Sequence, residues 1–296
     1  MRGPVLLEVR RLVKHFRRKP GLGRPAEVVR AVDEVSFTID EGETFGLVGE
    51  SGSGKTTIGR CMLRLLKPTS GEVLFRGENL LSFSRERMRR ARRDMQIVFQ
   101  DPYSSLNPRM RARQIVEEPL IIHRVGTRAE RRDQVAALFT LVGLDPQHLE
   151  RFPHEFSGGQ RQRIGLARAL ALSPSLVIAD EPVSSLDVSV QAQVINLLVD
   201  LQQQLKLTYL LIAHDLRLVE HVCDRVAVMY RGRIVEMAPT VTLFAAPRHP
   251  YTRSLLSAIP QPDPHAIPSR IEFDPASIDL DQPLAEVTPG HWTRCQ

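Results

Sequence analysis

Three cysteines are few for a chain of 296 residues, and Cys61, Cys223 and Cys295 lie far apart. That spacing excludes a disulfide ladder and a zinc-type ligand pair, and it fits a reducing compartment. No apolar run approaches the roughly 18 residues that a bilayer-crossing helix needs. The opening stretch MRGPVLLEVRRLVKHF has no uninterrupted apolar segment, so a secretory signal is not expected. Aromatic residues make up only 5% of the chain, with one tryptophan. None is interleaved with the arginine clusters RERMRRARR (Arg85 to Arg93) and RAERR (Arg128 to Arg132). A base-stacking surface needs such interleaving. Despite a net charge of +6, the clusters therefore read as solvated helix faces, and no nucleic-acid partner is expected. Lysine is scarce too, so a lysine inside a glycine-rich loop carries information.

What is present is a composition ordinary for a chain that buries a core, 42% hydrophobic and 25% charged. Residues 5–48 read as short β-strands broken by the polar insert RRKPGLGRPAE, with TFGLVG a buried apolar run. A helix is expected from Lys55 to about Leu66, then strands at GEVLF and MQIVFQ, then largely helix from about 102 to 172. One of those helices opens on a capping box, Thr127 with Glu130. Beyond them SLVIADE, TYLLIAH and RVAVMY are apolar strands alternating with helix, a pattern that argues for a parallel sheet covered on both faces. After about Phe244 prolines recur and periodicity fades, so residues 247–296 read as a small, loosely ordered extension.

The stretch GESGSGKTT spans Gly49, Glu50, Ser51, Gly52, Ser53, Gly54, Lys55, Thr56 and Thr57 and matches G-x-x-x-x-G-K-[ST]. An apolar strand runs in and a helix runs out, which is the context a phosphate-binding loop needs. Its glycines let successive N–H groups turn toward phosphate oxygens, and the helix N-terminus adds its positive dipole end. Lys55 can reach the β- and γ-phosphates and Thr56 can ligate Mg²⁺. In SLVIADE, Asp180 and Glu181 emerge at the carboxyl end of a central strand, where open α/β sheets bind ligands. Asp180 suits the metal and Glu181 suits a base for the attacking water. Gln100 and His214 close two other strands. In EFSGGQRQRIGLARAL, Ser157 and Gln160 form a second capping box, yet Gly158 and Gly159 occupy the first turn at a cost of about 1 kcal/mol each. A helix start without side chains admits close approach of an anion, held by this chain or by another subunit.

In order and spacing, the P-loop, Gln100, SGGQ, VIADEP, SSLD (Ser184 to Asp187) and His214 resemble the ATP-binding-cassette ATPases over residues 5 to about 245. The resemblance implies an α/β P-loop NTPase (RecA-like) core. An antiparallel β subdomain and an α-helical signature subdomain accompany it, within a cassette spanning residues 1–246. It also implies ATP and Mg²⁺, and a head-to-tail pair of cassettes in which Ser157, Gly158, Gly159 and Gln160 face the partner's γ-phosphate. By the same resemblance Gln100 couples to the transmembrane partner and touches the metal, His214 is the switch residue, Asp187 the contact across the dimer and Phe16 the aromatic on adenine. RHPYTRSLLSAIP (Arg248 to Pro260) and GHWTRC (Gly290 to Cys295) resemble the C-terminal extension of ATPase subunits from oligopeptide, dipeptide and nickel importers. In such relatives the region between often carries several cysteines, which sometimes hold an iron–sulfur cluster. Only Cys295 is nearby here, and four thiolates are needed, so no cluster is expected.

The expectation is therefore an ATPase subunit on the cytoplasmic face of a bacterial plasma membrane. Its expected partners are a second ATPase subunit (self or related), two permease subunits and, indirectly, an extracytoplasmic solute-binding protein. DNA-repair and ribosome-associated ATPases share the SGGQ helix. The first usually insert a coiled coil or zinc module between P-loop and signature, and there is no room here for a long one; the second carry two cassettes per chain.

Overall fold

The computed structural model describes residues 3–18, 27–259 and 271–294. The chain divides into two compact units, 1–82 with 210–296 and 83–209. The first part of the chain forms β1 (Val5–Arg18), β2 (Glu27–Asp40), β3 (Thr44–Val48), α1 (Lys55–Met62), β4 (Ser70–Phe75) and β5 (Glu78–Asn79). The second unit holds α2 (Arg85–Asp94), β6 (Met95–Val98), α3 (Pro102–Ser105), α4 (Ala112–Ile122), α5 (Arg128–Leu141), α6 (Gly158–Leu170), β7 (Leu176–Asp180) and α7 (Val188–Leu205). The division falls inside β8 (Thr208–Ala213). The chain then completes the first unit with α8 (Leu216–Val222), β9 (Arg225–Tyr230), β10 (Arg233–Pro239), α9 (Thr240–Ala245), α10 (Pro250–Ser257), β11 (Ala285–Thr288) and β12 (His291–Thr293).

In the first unit an antiparallel sheet runs in the order β2, β1, β4, β5. Where short strands were expected, β1 and β2 are 14 residues each and stay paired out to Arg18 and Glu27. Cross-strand pairing carries polar residues that local propensity would leave in a loop. The expected insert falls mostly on residues 19–26, outside the described residues. In the same unit β3 pairs in parallel with β9, and β10, β12 and β11 add to it antiparallel. All five positions of β3 are buried, because α8 lies tight on it: a β-carbon on Gly46 would stand 3.0 Å from Cys223 Sγ and from Val219 Cγ1. Helix α1 stops at Met62, short of Leu66, where Arg64 takes a positive φ and Leu65 and Leu66 both donate to the Arg60 carbonyl.

In the second unit β6 and β7 pair in parallel, with Val98 opposite Ala179. Leu176 to Ala179 are fully buried, as their unbroken apolar run requires. Both expected capping boxes form: Thr127 with Glu130 opens α5, and Ser157 with Gln160 opens α6. Helix α2 carries the first arginine cluster with only Met88 buried, a solvated basic face.

The expectation of a loosely ordered extension is corrected for its described part. Pro250 sits at the first position of α10, where its missing N–H costs nothing, behind an N-cap from His249. His249, Tyr251, Thr252, His291 and Thr293 are buried. Pro260, Pro262, Pro264, Pro268 and Cys295 lie outside the described residues.

Candidate nucleotide site

In the first unit the P-loop leaves β3 and enters α1, and two of its glycines are required by their surroundings. Gly49 has φ 148° and Gly54 has φ 109°. A β-carbon on Gly49 would overlap the Met229 carbonyl oxygen of β9, and one on Gly54 the Ala31 carbonyl oxygen of β2. The loop is thus pressed between two strands. The β9–β10 turn braces it further, through Gly232 N–H donating to the Ser53 carbonyl at 3.0 Å. Gly52, at φ 81°, and its neighbour Ser51 face the open side.

Lys55 begins α1 and is only 3% exposed. Its ammonium donates to the Gly49 carbonyl at 2.7 Å, the Glu50 carbonyl at 2.8 Å and Ser53 Oγ at 3.4 Å. Lys55, buried and held by loop carbonyls, thus opens a helix whose N-terminal end is of the kind that suits a phosphate group. Thr56 and Thr57 follow in the first turn, both half-buried. His214 stands exposed just past β8, followed by Asp215, the N-cap of α8. Phe16 lies on β1, 39% exposed, with the Lys14 ammonium 4.8 Å from its ring centroid.

In the second unit the two acidic residues part company at the end of β7. Asp180 is 2% exposed. Glu181 turns out of the strand with φ 47°, a left-handed conformation that costs a non-glycine residue about 1–2 kcal/mol. Its carbonyl accepts from Ser184 N–H at 3.3 Å and Ser184 Oγ at 3.2 Å, which holds that turn. Gln100, just beyond β6, donates from Nε2 to Glu181 Oε2 at 2.7 Å. Two strand-end residues far apart in sequence thus meet, and the amide fixes the carboxylate's direction.

The opening of α6 lies against the start of α7. Ser157 Oγ accepts from Gln160 N–H at 3.3 Å, while Ser157 N–H donates to Gln160 Oε1 at 2.9 Å. A β-carbon on Gly158 would stand 3.1 Å from Leu186 Cδ2, and one on Gly159 would overlap Val190 Cγ1. Gly159 is buried, whereas Ser157 is exposed. The buried glycine therefore has a reason within its own chain, the close passage of α7, which the sequence reading did not supply. Asp187 caps α7 through its backbone carbonyl, which accepts from Val190 and Gln191, and its side chain makes no cap hydrogen bond. Met229, Ala31 and Gly232 were missed as walls of the P-loop. Only Gly232, in the turn YRGR, carried a local signal.

Comparison with known proteins bears on both units. The family model described as ABC transporter matches residues 32–184, and that described as oligopeptide/dipeptide transporter, C-terminal region, matches residues 235–282. The oligopeptide transport ATP-binding protein OppF of Bacillus subtilis is 52% identical over 98% of this chain and 96% of its own length. A putative peptide import ATP-binding protein of Brucella ovis is 50% identical over 98% of this chain and 97% of its own. Among solved structures, the ATP-binding cassette MJ0796, dimeric in a post-hydrolysis state with ADP and Pi, superposes with a TM-score of 0.69 at 29% identity, covering 79% of this chain and 98% of that one. CbiO1 of Clostridium perfringens, part of the ABC transporter complex cbiONQ, gives a TM-score of 0.70 at 28% identity over 82% of this chain and 92% of its own. A P-loop built around a buried lysine, a strand-end carboxylate pair and a glycine-opened signature helix thus occur in a chain that belongs to the ABC transporter family.

Proposed function

We propose that this chain is the ATP-hydrolysing subunit of a bacterial importer for peptides or a related small solute. The observation that carries the reading is Lys55, buried at the mouth of a loop in which Gly49 and Gly54 admit no side chain. The near full-length likeness to peptide-import ATPases supports the cargo class. In this reading the N–H groups from Gly52 to Thr57 and the Lys55 ammonium hold the phosphates, and Phe16 stacks on adenine. Thr56, Asp180 and Gln100 offer hard oxygen donors, the chemistry Mg²⁺ requires. Bound by them, Mg²⁺ would supply neutralisation of the phosphate charge. Glu181, oriented by Gln100, takes the proton of the attacking water, and His214 contacts the γ-phosphate.

A second cassette, self or related, completes each site by offering Ser157 to Gln160 and Asp187 to the opposite nucleotide. Closure of the pair drives two permease subunits fed by an extracytoplasmic binding protein, with the ATPase peripheral on the cytoplasmic face. The test is ATP hydrolysis by the chain assembled with its permeases, with and without peptide-loaded binding protein. Several-fold stimulation by peptide is expected, abolished by Lys55→Ala. Hydrolysis unmoved by Lys55→Ala would refute the P-loop assignment, and hydrolysis unmoved by any solute-loaded binding protein would refute the importer reading.

A further inference from the structure

The C-terminal extension reaches the P-loop. Tyr251, in the first turn of α10, is 2% exposed, and its hydroxyl oxygen accepts the Glu50 N–H at 3.1 Å. Glu50 is the second residue of the loop, and both of its backbone polar groups are held. Its N–H goes to Tyr251, while its carbonyl accepts from the Lys55 ammonium at 2.8 Å and from Ser53 N–H at 3.2 Å. The tyrosine thus bears on the carbonyl that anchors the lysine.

The phenol is itself fixed. Its ring lies 4.5 Å from that of Tyr230, at the end of β9, and 5.2 Å from Phe273, farther along the extension. Its backbone N–H donates to His249 Nδ1 at 3.1 Å, and His249 N–H donates to Glu236 at 3.0 Å. Glu236 is fully buried on β10 and also accepts from Arg248 N–H and meets His291 Nε2 at 2.7 Å. Two separate parts of the extension therefore converge on one carboxylate, and α10 leaves that anchor with a single hydroxyl directed at the loop.

We propose that Tyr251 is a positioning residue for ATP binding: through Glu50 it sets the conformation of the P-loop and the place of the Lys55 ammonium before nucleotide arrives. A preorganised loop spares the ordering cost that binding would otherwise carry. A phenylalanine keeps the aromatic packing and leaves the Glu50 N–H without its acceptor, so the loss falls on the loop rather than on the fold.

The inference rests on the P-loop reading above, and the experiment separates the two. Wild type, Tyr251→Phe and Lys55→Ala are prepared as full chains. ATP affinity is measured by calorimetry, KM and kcat on the assembled transporter, and amide exchange over residues 49–55 by mass spectrometry. For Tyr251→Phe the expected result is ATP affinity lower and KM higher by about three- to tenfold, kcat within about twofold, and faster exchange in the loop. The melting temperature should move by no more than about 2–4 °C, the size expected for one lost hydrogen bond in a chain of this length. Wild-type affinity and loop exchange in Tyr251→Phe overturn the proposal, as does a joint loss of KM and kcat that tracks unfolded protein. If Lys55→Ala keeps wild-type affinity as well, it is the P-loop reading that fails.

Discussion

Gly159 packs against Val190 so closely that a single added methyl would overlap the valine's Cγ1. Gly158, one residue earlier, leaves a β-carbon 3.1 Å from the more flexible end of Leu186. The two adjacent glycines are thus constrained by packing to different degrees. Gly159→Ala should destabilise the chain by about 1–3 kcal/mol, the usual cost of overpacking. Gly158→Ala should cost less stability and instead weaken ATP-driven pairing of cassettes. Urea unfolding with sizing chromatography in ATP separates the two, and equal stability of both variants would count against this division.

Glu181 and Gln100 give a second expectation. Glu181→Gln keeps the shape but cannot take a proton, so ATP should bind normally while turnover stops. Gln100→Ala frees Glu181 Oε2 from its 2.7 Å hydrogen bond and should lower kcat by about tenfold or more with KM little changed. Single-turnover hydrolysis beside equilibrium binding reads both, and wild-type turnover in Glu181→Gln would place the base elsewhere.

The anchor of the extension predicts a pH dependence. Burial pushes the His249 imidazole down to about 4, against an opposing pull from Glu236 and with help from Arg294. In the unfolded chain it titrates near the ordinary value of about 6.5. Between those values the unfolded state binds more protons, so stability should rise with pH over that window and be fully present above about 6.5. Protonation would also set a ring N–H against the Tyr251 N–H that Nδ1 now accepts. His249→Asn keeps an N-cap acceptor and should flatten the pH slope of the denaturation midpoint. An unchanged slope would put the titration elsewhere.

Glu236→Gln is the sharper lesion. The amide's NH₂ would face backbone donors at Arg248 or His249, leaving a buried clash of donors. A loss of about 2–3 kcal/mol is expected, felt first in the extension. Limited proteolysis should cut beyond residue 246 faster than in wild type. A wild-type cleavage pattern would show that Glu236 does not hold the segment.

Much of this was legible in the chain itself, wherever a local pattern has one physical meaning. An apolar strand, a glycine-rich turn and a lysine at the helix start announce the P-loop, and serine with glutamine three residues on announces the start of α6. What stayed hidden depends on what folds back from a distance. Nothing near Gly159 names Val190, and nothing near Glu50 names Tyr251. The proline-rich tail reads as loosely ordered because proline is ordinarily a breaker. At Pro250 it is a helix starter, and the buried carboxylate that orders the segment lies in another element.

The last hairpin changes what the sheet offers to other chains. β12 pairs with β10 at Glu236 and Met237, Arg294 N–H adds a bond to the Val235 carbonyl, and β11 closes the described edge with four residues, three of them exposed. Without that hairpin β10, seven residues long and mostly buried in side chain, would present an open row of donors and acceptors, a template for strand addition. A short final strand bearing Glu286 is a poor template. The hairpin therefore covers the edge of β10, and a chain cut after residue 246 should scatter more light on standing than the full chain.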